Sequence, residues 1–276
     1  MTAASVRPGL LSLGAAHVRR DALMAFSYKV PFVMGLFVSF QGLVMYYFIA
    51  QLIDESQFPD SPELAQGYLA FVVVGNAISA IISVGLADPP GRLQQAQGNG
   101  TIEAIATTPT PMWLTTMLGS LYQLLYATLG SMVTVGLSIL LLGVRVDASA
   151  SGFVIAGAGL VLTFILFASL GLCIAAFAIV YKRISPVLAL TNAALGFMSG
   201  VFFPIELLPG PLPHLARALP FSWAVDVVRL SLLAGETPVR ELAVLTGAAA
   251  VSLPVAILVF HLALRRTRSA GTLSHY

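Results

Sequence analysis

Few residues of this chain could perform chemistry, and their spacing does not bring them together. The 276 residues include four His and a single Cys, Cys173. One cysteine cannot form an intrachain disulfide or a cysteine-based metal site, and the scattered histidines do not form a ligand cluster. The phosphate loop G-x-x-x-x-G-K-[ST] is absent, because neither lysine (Lys29, Lys182) follows a glycine-rich turn. The sequence therefore predicts no catalytic residue, no metal site and no cofactor bound by this chain.

The composition indicates where such a chain must reside. Hydrophobic residues make up 58% of it, charged residues make up 9%, and the mean hydropathy is +0.90. Soluble domains carry about 25% charged residues, and an apolar surface with so few charges would aggregate in water. These values exclude a soluble enzyme and a nucleic-acid-binding protein. We therefore expect an integral membrane protein.

Six uncharged apolar stretches are long enough to cross a bilayer as helices, since a hydrocarbon layer of roughly 30 Å needs about 20 residues. The period-2 alternation of a β-barrel strand is missing. Asp88-Pro89-Pro90-Gly91 is expected to stop or sharply bend the second stretch. The sequence predicts an all-α membrane protein with six transmembrane helices, at 30–53, 68–87, 117–142, 153–180, 186–203 and 242–264.

The charges indicate the orientation of these spans. Most Lys and Arg residues lie near the two termini and in the loops after the second and fourth spans, so the positive-inside rule places both termini in the cytoplasm. We divide the chain into a cytoplasmic N-terminal segment (1–29), a transmembrane domain (30–264) and a cytoplasmic tail (265–276). The N-terminal segment mixes Arg19, Arg20 and Asp21 with apolar residues. This mixture favours an interfacial amphipathic helix over a solvated basic leader.

No residue within the spans carries a full charge. Because ion-coupled secondary transporters usually need an intramembrane acid or base, this pattern disfavours that class. The embedded polar residues are neutral, and two roles remain open for them: hydrogen bonds between helices, or the lining of a substrate path. The candidates for path lining are Gln41, Asn76, Asn192 and Ser199.

The stretch 91–113 between the second and third spans predicts a short cytoplasmic helix. Thr101 can cap the helix, and Glu103 lies in its first turn, where the positive helix end favours a carboxylate. The prolines of 108–111 end it before the third span begins. An exposed helix clamped between two spans suits the transmission of force from a soluble partner; the alternative is an ordinary loop helix.

The stretch 199–235 between the fifth and sixth spans is apolar but is divided by prolines. Apolar pieces too short to span predict helices that enter the outer leaflet and return. Asp226 and Arg229, at i and i+3 on the second piece, are spaced to pair. The segment could be structural or could form part of an exit path.

Together these motifs resemble the ABC-2 type permeases, which are membrane subunits of bacterial ATP-binding-cassette exporters. The resemblance covers roughly residues 17–266. It rests on three groups: Gly100-Thr101-Ile102-Glu103 with Thr108-Pro109; Ser199-Gly200-Val201-Phe202-Phe203-Pro204 with Leu219-Pro220 and Arg229; and Arg19-Arg20-Asp21-Ala22-Leu23 with Ser27-Tyr28-Lys29.

The resemblance implies a pair of permease chains, expected to be a homodimer, in the bacterial inner membrane. Each chain would bind one ATP-hydrolysing subunit, which would hold ATP and Mg²⁺. The implied ATPase-coupling residues are Arg92, Gly100, Thr101, Glu103, Thr108 and Pro109, with Glu103 as the contact to the ATPase. The interfacial helix with Arg19, Arg20 and Asp21 is a second docking element. The implied external gate comprises Phe202, Phe203, Pro204, Pro220, Asp226 and Arg229. The first, second and fifth spans would line the path.

In one respect the sequence departs from the family pattern. Gln94, Gln95 and Gln97 are neutral where family members often carry charges, which reduces the salt bridging available to the coupling contact. The sequence thus predicts a permease subunit of an exporter driven by a separate ATPase. The alternatives are a secondary transporter or channel acting alone, and a non-transporting scaffold. The uncharged lining weakly favours an amphipathic or apolar cargo.

Overall fold

The computed structural model describes residues 9–27, 29–53, 62–64, 66–181 and 185–269, and every regular element within them is helical. Arg7, Tyr28, Lys182, Arg183 and the tail beyond Ser269 lie outside the described residues. Two 3₁₀ turns occupy Pro62–Leu64 and Ile205–Leu207. The helices are α1 (Leu10–Ser27), α2 (Lys29–Leu52), α3 (Tyr68–Gly98), α4 (Ile102–Ala106), α5 (Met112–Gly119), α6 (Leu121–Leu142), α7 (Ala150–Tyr181), α8 (Ser185–Met198), α9 (Leu212–Ala218), α10 (Pro220–Leu233) and α11 (Val239–Ser269).

Four helical segments in the described part of the chain are long and apolar enough to cross a membrane. They contain the predicted spans 68–87, 117–142, 153–180 and 242–264, although the third is divided into α5 and α6 at Ser120. The prediction of an all-α, multi-pass membrane protein is therefore confirmed. The four segments are Tyr68–Gly98, Met112–Leu142, Ala150–Val180 and Val239–Thr267.

The other two predicted spans correspond to α2 and α8. The helix α2 covers almost all of the predicted span 30–53. The predicted span 186–203 is wrong at its C-terminal boundary, because α8 ends at Met198. Gly200 has φ +68°, a left-handed conformation that terminates helices and that glycine adopts without strain. With 14 residues, α8 is about 21 Å long, shorter than the hydrocarbon layer.

The helices α3 and α7 form the centre of the molecule and are apolar on every side. Their spanning windows are far more buried than those of the outer helices α6 and α11. The two helices cross where Gly85 and Gly171 face each other's backbones. A β-carbon at Gly171 would lie 2.4 Å from the carbonyl oxygen of Gly85, so only glycine permits this approach.

The helix α3 does not stop at Asp88-Pro89-Pro90-Gly91 but continues to Gly98, so the prediction of a stop there is wrong. Pro89 and Pro90 cannot donate to the carbonyls of Gly85 and Leu86, four residues earlier. These two carbonyls are the ones that the backbone at Gly171 approaches. Prolines are tolerated in membrane helices where a neighbouring helix covers the carbonyls they leave unbonded. The crossing with α7 therefore explains how the helix continues.

The stretch after α8 forms the short helices that the prolines predict, α9 with 7 residues and α10 with 14. The apolar character of α10 has a packing cause. Ala224, Val225 and Val227 are completely buried in a cluster that also contains residues of α3, α7 and α11. A close contact supports this packing, because a β-carbon at Gly159 of α7 would lie 2.6 Å from Val227 Cγ1.

Candidate functional site

The predicted coupling segment forms the helix α4 between α3 and α5. Gly100 takes φ +67° just after α3 and turns the chain back, and the Thr101 amide donates to the Ala96 carbonyl over 2.9 Å. Thr101 occupies the N-cap position, but its hydroxyl also bonds the Ala96 carbonyl instead of capping α4. The expected side-chain cap is therefore absent at Thr101. Its carbonyl accepts the first helical bond, from Ile105.

The helix α4 has one exposed side and one anchored side. Glu103 is exposed, whereas Ile102 is only 3% exposed and packs in a cluster with Leu93, Met112 and residues of α7 and α11. Through Ile102 the short helix is packed against both α7 and α11. The buried contact of Ile102 is not visible from the sequence alone.

Threonines and prolines end α4 as the sequence predicts. The hydroxyls of Thr107 and Thr108 donate to the carbonyls of Ala104 and Ile105 over 2.9 and 2.7 Å. Pro109 is exposed, and Pro111 occupies the N-cap position of α5. Two of the carbonyls at the end of this five-residue helix are thus hydrogen-bonded by the threonine side chains that follow it.

The helix α1, predicted to be interfacial, is joined to the predicted coupling region by an ionic cluster of Arg20, Asp21, Asp88 and Arg92. Arg92 lies between two carboxylates, 2.8 Å from Asp21 Oδ2 and 2.5 Å from Asp88 Oδ2. Arg20 donates to Asp21 Oδ1 over 2.7 Å, while Arg19 is exposed. The structure therefore brings together Arg92 and Asp21, which the sequence placed in separate elements.

The electrostatics of the ionic cluster favour the charged form of Asp21. Desolvation by burial acts to raise the pKa of Asp21, but hydrogen bonds and charges from Arg20 and Arg92 outweigh it, so this pKa lies below its usual value. The neighbouring His17 has a lowered pKa, because burial and the charge of Arg20 disfavour its protonated form. Asp88 was not among the predicted site residues; its i, i+4 spacing to Arg92 is the signal that could have identified it.

The predicted external gate is organised around Arg229, whose side chain is 1% exposed. Its guanidinium donates to the carbonyls of Gly200 (2.7 Å), Val201 (2.8 Å) and Phe71 (3.1 Å). It also lies 3.4 Å from the centroid of the Phe71 ring, within cation–π range. A single side chain of α10 therefore holds the 199–203 loop against α3. The pairing of Asp226 with Arg229 stays a prediction.

Glycine makes room for this arrangement on α3. A β-carbon at Gly75 would lie 2.4 Å from Arg229 Nη2 and 2.6 Å from the Val201 carbonyl. Both distances are far below van der Waals contact, so any larger residue would displace the guanidinium or the loop. We refer to Arg229, Gly75 and the carbonyls they contact as the loop clamp.

The gate residue Phe202 is held by its backbone and contacts α2 with its ring. Its carbonyl accepts from the hydroxyl of Tyr68 over 3.0 Å, and its ring centroid lies 6.3 Å from that of Tyr46. Tyr46 in turn donates to Asn76 Oδ1 over 3.2 Å. Phe203 and Pro220 are partly exposed and Pro204 is buried. The gate prediction thus concerns a well-packed loop between α2, α3 and α10.

The four candidates for path lining have different surroundings within a single chain. Gln41 and Asn192 are exposed, and the Asn192 amide donates to the Leu188 carbonyl of its own helix. Asn76 bonds Tyr46, as described. Ser199 is 3% exposed, and its hydroxyl accepts from the Val201 amide over 3.4 Å. Their assignment to a path stays a prediction.

Within the described residues, no group of three His, Cys, Asp or Glu side chains could hold a metal ion. The fold defines a class: a multi-pass helical membrane protein with a short exposed helix between two of its spanning segments. The sequence profile of the family described as ABC-2 type transporter matches residues 15–233. The chain belongs to this family and is a permease component, a kind of subunit that lacks ATPase activity itself.

Permeases of this family work with nucleotide-binding subunits. The chain is also similar to nodulation protein J of Rhizobium meliloti (strain 1021), with 36% identity over 72 residues. That alignment covers 26% of this chain and 28% of the relative, so it spans about a quarter of each protein.

Proposed function

We propose that two copies of this chain form the membrane path of a bacterial exporter whose energy comes from a separate ATP-hydrolysing subunit. ATP and Mg²⁺ bind to that subunit, not to this chain. The observation that carries the proposal is α4, which exposes Glu103 and anchors Ile102 beneath it in the cluster with α7 and α11. A partner that pushes on α4 therefore moves spanning helices.

In this proposal the chain has six spans, with α2 and α8 added to the four long segments, and both termini lie in the cytoplasm of a bacterial cell. Residues 1–29 form the cytoplasmic N-terminal segment, 30–264 the transmembrane domain and 265–276 the tail. The positive-inside rule supports this orientation, since α1 carries Arg19 and Arg20 and the C-terminal end of α11 carries three arginines. Arg19, Arg20 and Asp21 on α1 provide a second docking element beside α4.

The second permease chain covers the exposed apolar side chains of α2 and α8. Phe37, Phe48, Leu190 and Phe197 are all more than half exposed in a single chain. Lipid satisfies such side chains as well, but Gln41 and Asn192 lie on the same two helices and are exposed too. Exposed amides are costly in hydrocarbon, which favours a path between two copies over lipid contact. The 199–203 loop and Phe202 close this path on the outer side.

The test is a charge reversal at the proposed docking residue. The chain is co-expressed with the product of a neighbouring reading frame that carries G-x-x-x-x-G-K-[ST], and the complex is purified and its ATP hydrolysis measured. Glu103→Lys should weaken assembly about tenfold, because a reversed charge at an interface costs more than a lost one. Glu236→Lys, an exposed residue at the other end of the molecule, is the matched control.

Two results would contradict the proposal. One is a Glu103→Lys complex that assembles and hydrolyses ATP like the wild type, when gel filtration shows that both variants are folded. The other is uphill solute transport by the reconstituted chain without any nucleotide-hydrolysing subunit.

A further inference from the structure

A cavity of about 870 Å³ lies between α1, α3 and the start of α6, on the side of the coupling helix. Its floor is α3 itself, through a row of small and amide side chains at every fourth position: Ser83, Ala87, Gly91, Gln95 and Asn99. This row extends over about 24 Å, given the rise of a helix. Gln41, Asn76, Asn192 and Ser199, the candidates for the transport path, are not among its lining residues. The cavity is therefore distinct from the proposed path.

The cavity changes character along its length. At one end of the α3 row Ser83 and Val84 belong to the uncharged part of that helix, and Met24 and Tyr122 add further apolar surface to the lining. At the other end Gln95, Asn99 and Thr101 are exposed at the cytoplasmic turn. A ligand that is apolar at one end and polar at the other matches this gradient.

The ionic cluster lies midway along the cavity and carries both signs of charge. Arg20, Asp21, Asp88 and Arg92 all line it, and each keeps part of its side chain accessible, from 11% for Asp21 to 51% for Arg20. The two arginines and two aspartates cancel in net charge. A purely anionic ligand would meet the carboxylates unfavourably, whereas a ligand with adjacent positive and negative groups satisfies both signs.

We propose that this cavity binds the headgroup of a phospholipid that joins a phosphate to a primary amine, namely phosphatidylethanolamine. The half-exposed Arg20 guanidinium donates to the phosphate, because its bond to Asp21 uses only Nε and leaves the other donor groups for a ligand. The ammonium group donates to Asp88, whose carboxylate has acceptor capacity beyond the bond from Arg92. The acyl chains leave past Met24, which is 59% exposed, along the apolar side of α1.

The size of the cavity fits this occupant. Small-molecule sites measure roughly 300–1,000 Å³, so the cavity holds a headgroup with the first part of its chains rather than a whole lipid. Because the bound headgroup bridges α1 and α3, it would hold the interfacial helix to the coupling region. All of its lining residues belong to this chain, so the site is complete before the proposed ATPase partner docks beside Arg20 and Asp21.

The test measures lipid retention by native mass spectrometry on the purified full-length chain. The probes are phosphatidylethanolamine, phosphatidylcholine and phosphatidylglycerol with identical acyl chains, and free phosphoethanolamine as the soluble source of the same headgroup. We expect phosphatidylethanolamine to bind one per chain, about tenfold more tightly than the other two lipids. Free phosphoethanolamine should not compete at equal concentration, because it lacks the apolar part.

Gly91→Leu tests the location. An added β-carbon at Gly91 meets no atom within 4 Å, so a leucine there starts in open space beside the cavity that Gly91 lines. It should reduce phosphatidylethanolamine binding about tenfold. Gly98→Leu is the matched control, because Gly98 also has open space around it but does not line the cavity.

Asp88→Asn tests the chemistry independently of any effect on folding. It should abolish the preference for phosphatidylethanolamine over phosphatidylcholine, since the acceptor charge for the ammonium group is lost. Equal retention of all three lipids by the wild type would overturn the proposal. Unchanged lipid binding by Gly91→Leu would also overturn it, as would competition by free phosphoethanolamine equal to that of the lipid. A Gly91→Leu chain that no longer forms dimers but still retains lipid would overturn it too, because it would show that a second copy covers the cavity.

Discussion

Arg92 and Arg229 fasten the two ends of this protein by different means. Arg92 keeps 24% of its side chain exposed and pairs with the carboxylates of Asp21 and Asp88. Arg229 is 1% exposed and bonds backbone carbonyls and an aromatic face. Partly exposed ion pairs contribute little to stability, whereas buried charges are costly to leave unpaired. The comparison indicates an adjustable end at the ionic cluster and a fixed end at the loop clamp, and four measurements can test it.

The largest effect is expected from Arg229→Met. It removes three hydrogen bonds and leaves the carbonyls of Gly200, Val201 and Phe71 buried without a donor, so the free energy of unfolding should fall by at least about 3 kcal/mol. Unfolding in mixed detergent micelles measures it. Arg229→Lys should be intermediate, because lysine lacks the planar fork. Wild-type stability in the methionine variant would show that the loop clamp does not fix its end of the molecule.

Gly75→Ala should give the next largest effect. The new methyl group would clash with Arg229 Nη2 and the Val201 carbonyl, and we expect a loss of about 1–3 kcal/mol in the same assay. Gly130→Ala on α6 is the control, since its β-carbon meets nothing within 4 Å and alanine favours a helix. Because helix propensity alone would stabilise both variants, a similar loss in both would mean that the loss does not come from the loop clamp.

A smaller effect on stability is expected from Arg92→Gln. Because the ionic cluster is partly exposed, the free energy of unfolding should fall by less than about 1 kcal/mol, and the loss should shrink as salt is raised. Arg229→Met should show no such salt dependence. If Arg92→Gln destabilised the chain as much as Arg229→Met did, the two ends would not differ.

The smallest effect concerns pH. The pKa of Asp21 is lower in the folded chain than in the unfolded chain, so the unfolded chain binds more protons in acid. The stabilisation of the folded chain by ionised Asp21 is therefore present above pH about 4, and it is lost as the pH falls through the folded-state pKa of Asp21. Unfolding curves between pH 3 and pH 7 measure it, and Asp21→Asn should flatten this dependence. An unchanged pH profile in that variant would assign the acid sensitivity to other carboxylates.

The sequence predicted the parts of the fold that depend on local chemistry. The apolar runs located the long helices, and the glycine at 100 with the prolines at 109 and 111 bounded α4 within a residue or two. The continuation of α3 through Pro89 and Pro90 could not be predicted, because it depends on the approach of Gly171 from another helix. The apolar residues of α10 predicted a helix that enters the outer leaflet and returns, which stays a prediction, whereas their packing against α3, α7 and α11 could not be predicted.

The site was predictable to the same extent. Arg229 could be identified as a charge in an apolar segment. Its partners could not be identified, because they are the backbone carbonyls of residues 71, 200 and 201, and every residue has such a carbonyl. Asp21 and Arg92 are 71 positions apart, and their pairing follows only from how α1 lies against α3. The 31 residues of α3 thus carry contacts to both ends.

The crossing at Gly85 and Gly171 has a mechanical consequence for α3. Gly85 lies about 26 Å from Tyr68 at the N-terminal end of the helix and about 20 Å from Gly98 at the C-terminal end. A rigid rod that tilts about such a fulcrum reverses the direction of a displacement and enlarges it by about a third, in the ratio of its arms. A small movement of Gly98 in one direction would become a slightly larger movement in the opposite direction beside Phe202.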